Sequence, residues 1–232
     1  MFVPLSVPEV KTWRQSTPWI IIPYRDNVEQ ERAKQLDEFV RAMKRHSDWN
    51  VLVIEQSQDN RKFNRGALLN IGTRYAEKSG AEYVIHHDVD LIPLAPIVPY
   101  YTAFPQEPIH IGKAWRDKYD YARFMGGTLS ISIADVKKSN GFPNQFWGWG
   151  GEDDAMRERL FSHGISVHQP IMQRGYRELA HVHTASKKEW TNEKKRANVM
   201  SDTGRDGYRN VKWKMLSAED LSPNVKKITV EL

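Results

Sequence analysis

Hydrophobic residues in the first half of the chain form short continuous runs separated by a stretch with helical spacing. Residues 19–23 and 51–54 are apolar runs of the kind that buried parallel strands show. Residues 29–46 lie between them, with apolar side chains at a helical repeat: Ala33, Leu36, Phe39, Val40 and Met43. The pattern predicts a strand, a helix and a second strand, in that order.

A second helix and a third strand follow, and the strand ends at two aspartates. Residues 64–79 have helical periodicity, with Asn64 as the N-cap and Gly80 as the stop. The strand predicted over residues 82–87 runs directly into Asp88 and Asp90. Because ligands bind at the carboxyl ends of strands in open α/β sheets, both aspartates fall where chemistry is expected.

The second half of the chain has a less regular pattern. A strand is predicted over residues 127–133 and a helix over residues 152–163. Short strands of mixed direction are predicted over residues 165–168, 181–184, 210–215 and 225–230. We therefore predict an α/β fold with a central mixed, mostly parallel sheet flanked by helices. Residues 1–18 would form an irregular N-terminal lead-in, and residues 19–232 a single domain.

Composition agrees with one folded domain. The chain has 232 residues, of which 40% are hydrophobic and 27% are charged, and these are ordinary globular values. No apolar run approaches the roughly 18 residues of a membrane helix, and Met1 is not followed by a signal-peptide pattern. We expect a soluble protein without an integral membrane segment, located in the cytoplasm if the chain is full length.

Net charge and cysteine content exclude only a few classes of partner and site. A formal net charge of +5 suits a nucleotide diphosphate as well as a nucleic acid, and no nucleic-acid-binding motif is recognisable. The basic cluster over residues 187–196 is interrupted by Glu189 and Glu193, which is typical of a solvated helix face. The absence of cysteine excludes disulfides, thiolate metal sites and a cysteine nucleophile. We expect no nucleic-acid partner.

Asp88 and Asp90 are separated by one residue, so their carboxylates project to one side of an extended chain. Hard oxygen ligands at that spacing suit Mg²⁺ or Mn²⁺ bridging to a diphosphate. Acidic turns at strand ends are common, so the pair alone is a weak signal. The apolar strand before it strengthens the metal hypothesis.

His181 and His183 repeat this spacing with imidazoles. Imidazole favours the transition-metal end of the series, so a site that combines aspartate with histidine indicates Mn²⁺ rather than Mg²⁺. The alternative is a pair of half-exposed strand histidines without a ligand.

The string FWGWGGEDDAM, residues 146–156, is the most distinctive in the chain. Its glycines permit tight turns and close approach to a ligand, and Trp147 and Trp149 offer flat faces on which sugar rings stack. Glu152, Asp153 and Asp154 then open a helix whose dipole favours ionised carboxylates. An ionised carboxylate beside an aromatic platform suits a general base for a sugar hydroxyl. An acidic helix start after a glycine-rich loop would explain the acids but not the tryptophans.

With these segments in view, the chain resembles the β-1,4-galactosyltransferase family over roughly residues 19–215. Six segments follow the family order, at residues 20–27, 63–72, 88–93, 124–132, 140–154 and 181–183. The His-X-His at residues 181–183 and the stretch YDYARF at residues 119–124 most resemble the xylosylprotein galactosyltransferase branch.

The resemblance implies a nucleotide-sugar transferase fold of the GT-A kind, with residues 19–232 as the catalytic domain. It implies Mn²⁺ as cofactor, UDP-galactose as donor and a glycan or glycoside acceptor, with a β-1,4 linkage to xylose or a xylose-like sugar favoured. A trimmed catalytic domain of this family would belong in the Golgi lumen.

The resemblance also implies roles for individual residues. Asp90, His181 and His183 would ligate Mn²⁺, and Asp153 would be the general base. Donor-side residues would hold the nucleotide sugar: Arg25, Phe63, Arg65, Asp88, Val89, Phe124, Gly127 and Glu152. Acceptor-side residues would hold the second sugar: Tyr119, Tyr121, Trp149 and Asp154.

The implied reaction is an inverting displacement, in which Asp153 takes the proton of the attacking hydroxyl. Three positions depart from the family pattern. Asn27 stands where many members have a second arginine, Gly151 replaces a larger residue of the xylose branch, and Phe124 replaces a donor-lining tyrosine. Donor and acceptor identity are therefore less strongly indicated than the reaction class.

Three alternatives remain open from the sequence. The chain could be an N-acetylgalactosaminyltransferase or another hexosyltransferase of the same superfamily, including a retaining one of the polypeptide type. It could also be a catalytically silent glycan-binding module that kept the fold and the aromatic platform.

Overall fold

A six-stranded mixed sheet forms the centre of the chain in a computed structural model, which describes residues 1–115, 123–148, 150–172, 174–180 and 192–232. The strands of the described chain are β1 (Phe2–Leu5), β2 (Trp19–Tyr24), β3 (Asn50–Gln56), β4 (Tyr83–His87), β5 (Leu91–Pro93), β6 (Thr128–Ser132), β7 (Val167–Pro170), β8 (Tyr176–Glu178), β9 (Lys214–Ser222) and β10 (Val225–Glu231). Its α-helices are α1 (Val7–Val10), α2 (Arg32–Met43), α3 (Arg65–Lys78), α4 (Val98–Thr102), α5 (Ile133–Ser139), α6 (Glu152–Ser162) and α7 (Asn192–Ser201).

The strand order of the sheet is β6-β4-β2-β3-β10-β9. Strands β4, β2, β3 and β10 are parallel neighbours, and β6 and β9 pair antiparallel at the two edges. The prediction of a mixed, mostly parallel sheet flanked by helices is therefore confirmed.

The apolar run of β2 is buried on both faces of the sheet because successive side chains of a strand point to opposite sides. Ile20 and Ile22 belong to the core that includes Phe39 of α2, whereas Ile21 belongs to the core that includes Leu68 of α3. All five of these side chains are fully buried. Burial of a continuous isoleucine run thus requires one helix layer on each face of the sheet.

The structure differs from the sequence-based prediction at three element boundaries. The prediction of an irregular segment over residues 1–18 is wrong in part, because Ser6 caps α1 in a capping box and β1 pairs in parallel with β7. Helix α2 begins later than predicted, because Glu31 has a positive φ of 53° and separates α2 from a short 3-10 turn. The strand predicted over residues 210–215 is wrong in part, since β9 begins only at Lys214 and continues to Ser222. The strand predicted over residues 181–184 lies outside the described residues.

The carboxyl end of β4 forms the edge at which the predicted acids lie. Because β6 runs antiparallel, its first residue Thr128 pairs with His87, the last residue of β4. Gly127 has a φ of +84°, and its carbonyl accepts a hydrogen bond of 3.1 Å from the backbone N–H of Asp88. The turn after β4 is thereby fixed against the strand beside it.

Arg159 on α6 ties this helix to the segment after α7. Its guanidinium donates to both carboxylate oxygens of Asp202 at 2.7 and 2.6 Å, and further to the carbonyls of Gly141 and Asp206. The Arg159 and Asp202 side chains are only 4% and 10% exposed. A buried cation with this many acceptors fixes the position of α7 relative to α6.

None of the helices in the described part of the chain is both long enough and apolar enough to cross a membrane.

Asp202→Ala is expected to lower the free energy of unfolding by about 3 kcal/mol, because it leaves the Arg159 guanidinium buried without its carboxylate. The measurement is urea denaturation of both proteins. Glu82→Ala removes the exposed partner of Arg14 and serves as the control, with a change below about 1 kcal/mol. Equal losses in the two variants would show that the Arg159 contact does not hold the C-terminal segment.

Candidate active site

One arginine connects the acidic turn after β4 with the acidic start of α6. Arg65 is the first residue of α3, where the Asn64 side chain caps the helix by accepting from the Ala67 N–H at 3.0 Å. Its Nη2 lies 2.8 Å from Asp88 Oδ1, and its Nη1 lies 2.7 Å from Asp153 Oδ1 and 3.6 Å from Glu152 Oε1. Three carboxylates from two segments thus share one guanidinium.

The environment of this cluster changes the pKa of both Asp153 and Arg65. Burial raises the pKa of Asp153 most strongly, the Arg65 cation lowers it, and the neighbouring carboxylates raise it, with a resulting value of about 7. Burial alone would lower the pKa of Arg65, but its three carboxylate partners raise it above the ordinary value. Asp153 is thus a carboxylate that can accept a proton near neutral pH.

Asp154, the next residue on α6, is held by two cations. Arg157 Nη1 donates to Asp154 Oδ1, and Lys195 Nζ of α7 lies 2.9 Å from Asp154 Oδ2. Burial raises the pKa of Asp154, but the contacts with Lys195 and Arg157 outweigh it and lower the pKa below its usual range. The pKa values of the two adjacent aspartates therefore differ: that of Asp153 is raised toward neutral pH, and that of Asp154 is lowered, so Asp154 stays ionised.

A buried histidine stabilises the turn that contains Asp88. His87 is fully buried, its Nδ1–H donates to the Asp88 carbonyl at 2.8 Å, and its Nε2 accepts from the Tyr101 hydroxyl at 2.8 Å. Burial lowers the pKa of His87 to about 4, so the imidazole is neutral. The backbone N–H of Leu91 donates to the same Asp88 carbonyl at 3.3 Å. The geometry of the turn is thus fixed by two donors.

Asp90 lies at the other end of this turn, close to Leu179 and Ala180, the last described residues before residue 181. Its carboxylate Oδ2 lies 3.2 Å from Arg32 Nη1, and its carbonyl accepts from the Leu179 N–H at 2.8 Å. Gln35 of α2 donates to the carbonyl of Ala180 at 2.9 Å. The chain therefore contacts Asp90 at Leu179, two residues before the predicted ligand His181.

Five of the predicted site residues lie outside the described residues: His181 and His183 of the metal set, and Tyr119, Tyr121 and Trp149 of the acceptor set. Within the part of the chain that the structure describes, no three His, Asp or Glu side chains are grouped to hold a metal ion. Asp90 is the only predicted ligand among the described residues.

The predicted nucleotide residues lie at the same sheet edge but contribute differently. Arg25 follows β2, donates to the Arg61 carbonyl at 2.7 Å, and has its guanidinium carbon 5.7 Å from the centre of the Phe63 ring. Val89, which was also predicted to contact the nucleotide, is only 4% exposed. Arg25 and Phe63 thus lie next to each other, whereas Val89 is buried in the turn after β4.

Phe124 and Asp153 approach the same glycine. A Cβ atom at Gly126 would lie 2.9 Å from Phe124 Cε2 and 3.1 Å from Asp153 Oδ2, so no side chain fits there. His110 donates from Nε2 to the Gly126 carbonyl at 2.9 Å and packs edge-on against the Phe124 ring. Phe124 consequently lies beside Asp153 at Gly126, and Gly127 follows directly before β6.

Three cations that contact predicted site residues were not predicted from the sequence: Arg32 beside Asp90, and Arg157 and Lys195 beside Asp154. Arg157 follows Asp154 by three residues on a predicted helix, and this spacing is a usable signal for an ion pair. The sequence offers no comparable local signal for Arg32 or Lys195, because each reaches its aspartate from a distant segment.

Comparison with known proteins gives two matching family models. The model of the N-terminal region of glycosyl transferase group 7 matches residues 8–102, and that of the N-terminal domain of galactosyltransferase matches residues 107–184. The two models together cover both segments that contribute acids to the Arg65 cluster.

Curated relatives and a solved structure agree with these models. The chain is 36% identical to a xylosylprotein 4-beta-galactosyltransferase of Caenorhabditis elegans over 64% of this chain and 51% of the relative. It is 29% identical to beta-1,4-galactosyltransferase 7 of Drosophila melanogaster over 91% of this chain and 67% of the relative. The chain thus spans about half to two thirds of the length of these relatives.

The catalytic domain of the Drosophila enzyme superposes with a TM-score of 0.76 at 28% identity, covering 94% of each chain. A variant of that enzyme has been solved as a complex with manganese, UDP-Gal and xylobiose. The likeness extends over nearly the whole length of both chains and includes the central sheet.

Arg65→Met is expected to raise the pKa of Asp153 further above its value of about 7, because the variant removes the only cation that contacts this carboxylate among the described residues. The ionised fraction of Asp153 would then fall at neutral pH. The measurement is a carbon-detected NMR titration of the aspartate carboxyl groups. Arg61→Met, which removes an arginine paired with Asp59, is the control. An unchanged or lower pKa in Arg65→Met would contradict the assigned ion pair.

Proposed function

We propose that this chain, which belongs to the β-1,4-galactosyltransferase family, transfers galactose from UDP-galactose to a sugar hydroxyl. The acceptor class that we favour is xylose or a xylose-like glycoside, joined through a β-1,4 linkage. The observation that carries the proposal is the Asp153 carboxylate, which lies 2.7 Å from Arg65 and has a pKa raised to about 7. Residues 19–232 would form the catalytic domain.

The proposed reaction is a single displacement with inversion at the anomeric carbon. The acceptor oxygen forms a bond to that carbon as the bond to the diphosphate oxygen breaks, UDP leaves, and the hydroxyl proton passes to Asp153. A base with a pKa near the working pH balances being ionised against affinity for the proton. Arg65 would hold Asp153 in its ionised form, and Glu152, buried beside it, would contact the donor sugar.

The residues present fit a Mn²⁺ site at the carboxyl end of β4. Asp90 is nearly buried and its carboxylate lies 3.2 Å from Arg32, and its carbonyl accepts a hydrogen bond from the backbone N–H of Leu179, two residues before His181. We propose Asp90, His181 and His183 as the ligands, a mixed oxygen and imidazole set that suits Mn²⁺. When bound, Mn²⁺ would stabilise the negative charge of the leaving diphosphate. Asp88 would lie close to the donor ribose or to the metal.

The donor and acceptor would occupy opposite sides of Asp153. On the donor side, Phe63 and Arg25 would hold the uridine, Val89 would contact the nucleotide, and Phe124 and Gly127 would line the sugar. On the acceptor side, Asp154 would accept hydrogen bonds from the acceptor hydroxyls. Tyr119, Tyr121 and Trp149 would also hold the acceptor. Because phenylalanine offers no hydroxyl, we expect Phe124 to permit some transfer of N-acetylgalactosamine.

The proposed activity is tested with a panel of sugar nucleotides against β-xylosides, β-glucosides and N-acetylglucosaminides in the presence of Mn²⁺, with products identified by mass and anomeric configuration. Asp153→Asn is expected to lower kcat by about 10²- to 10⁴-fold, because the amide keeps the shape of the carboxylate but cannot take the proton. Binding of UDP, measured by calorimetry, should remain.

Asp37→Asn, an exposed change on α2, is the control for this variant and should keep wild-type turnover. Turnover of Asp153→Asn near that of the wild type would rule out Asp153 as the base. Retention of the anomeric configuration would rule out the single displacement.

His181→Ala and His183→Ala are each expected to raise the Mn²⁺ concentration needed for half-maximal activity, because each removes one proposed ligand. Asp90→Ala should have the largest effect, since it removes a charge as well as a ligand. Direct Mn²⁺ titration by calorimetry gives a second measurement that does not depend on turnover. His163→Ala, at the end of α6, is the control. Wild-type behaviour of either histidine variant at limiting Mn²⁺ would assign that histidine a structural role.

A further inference from the structure

Helix α7 packs directly on the glycine loop that precedes the proposed base. A Cβ atom built at Gly150 would lie 3.6 Å from Lys195 Cδ and 3.7 Å from its Cγ, which is ordinary van der Waals contact. At Gly151 a Cβ atom would lie 3.2 Å from the Lys195 carbonyl oxygen, closer than most side chains tolerate. The aliphatic stem of Lys195 therefore covers the loop, where the glycines themselves have no side chain.

The ammonium group of Lys195 extends past this loop to Asp154. Nζ lies 2.9 Å from Asp154 Oδ2, and the two side chains are 26% and 18% exposed. Arg157 binds the other carboxylate oxygen, Oδ1, from within α6. The carboxylate is thus held in one orientation by two cations that approach from different helices.

The position of Lys195 is set by the fold and not by the lysine alone. The Arg159–Asp202 pair ties the end of α7 to α6, and it is almost completely buried. Because α6 also carries Asp153 and Asp154, the same contact fixes the distance between α7 and both aspartates. Lys195 is therefore presented to Asp154 by a rigid pair of helices.

Adjacent carboxylates at one helix start would otherwise tend to share a proton, since two like charges in one site raise the pKa of one of them. In this structure Arg65 contacts Asp153 and Lys195 contacts Asp154, so each aspartate has a separate cation. Asp154 is thereby kept ionised, and its oxygens retain lone pairs that can accept hydrogen bonds from hydroxyl groups.

We infer that Lys195 is a positioning residue of the acceptor subsite. It orients the ionised Asp154 carboxylate toward the hydroxyl groups of a neutral sugar acceptor, beside the base Asp153. The inference rests on the proposed function. Because Lys195 belongs to α7, the affinity for the acceptor would also depend on how this helix packs against the glycine loop.

The test compares steady-state kinetics of Lys195→Ala and wild type with UDP-galactose and a β-xyloside. The KM for the acceptor should rise by about fivefold to tenfold, because a charge-assisted contact to a partly exposed carboxylate is lost. The KM for UDP-galactose and its slow hydrolysis without acceptor should not change. Lys195→Arg should restore most of the acceptor affinity, and Arg196→Ala, an exposed cation on the same helix, should behave as wild type.

A double-mutant cycle with Asp154→Asn tests whether Lys195 affects acceptor binding through Asp154 or by direct contact with the acceptor. If Lys195 acts through Asp154, then adding Lys195→Ala to Asp154→Asn should raise the acceptor KM no further. An unchanged acceptor KM in Lys195→Ala, or an equal change in donor hydrolysis, would overturn the inference while leaving the proposed function intact. A wild-type protein that transfers to no acceptor would contradict the proposed function and remove this inference with it.

Discussion

The ion-pair cluster around Arg65 is the interaction on which the arrangement of the site depends. Asp88 belongs to the turn after β4, and Glu152 and Asp153 belong to the start of α6, so repulsion between their charges would separate the two segments. A single guanidinium from α3 compensates this repulsion, and its planar fork reaches both segments at once. The distance between the acidic turn and the proposed base therefore depends on where α3 begins.

The sheet explains why these segments meet at one edge. Strands β2, β3 and β4 run parallel, so the residues that follow them emerge on the same side, and the antiparallel β6 returns its first residues to that side as well. Arg25 after β2, Asp88 after β4 and Gly127 before β6 are brought together by strand direction alone. At this edge the turn before β6 depends on the positive φ of Gly127.

Helix α6 connects the C-terminal part of the chain to the proposed active site. Its first turn carries the acids, Arg157 holds Asp154 from the next turn, and Arg159 anchors the segment after α7. Consecutive turns of one helix thus carry the proposed base, a cation that holds Asp154, and the arginine that attaches the helix to the C-terminal segment. Lys195 thereby connects α7 to Asp154 directly.

Local pattern in the sequence was sufficient for the elements that bury continuous or periodic apolar residues. The strands β2, β3 and β4, the helices α3 and α6, and the position of Asp88 and Asp90 at a strand end follow from hydrophobic period and capping, because these are properties of a few neighbouring residues. The distinctive tryptophan string and its acids likewise identified the family. The short strand β1 was missed because it is formed by pairing with β7 across most of the chain.

Only the tertiary structure decided which charges meet. Arg65 to Asp153, Arg32 to Asp90 and Lys195 to Asp154 each join residues that are distant in the sequence, and the orientation of a long cationic side chain is selected by packing and not by local spacing. The same holds for the difference between Asp153 and Asp154, which are identical residues side by side on one helix. Their pKa values diverge because burial and neighbouring carboxylates raise the pKa of Asp153, whereas Lys195 and Arg157 lower the pKa of Asp154.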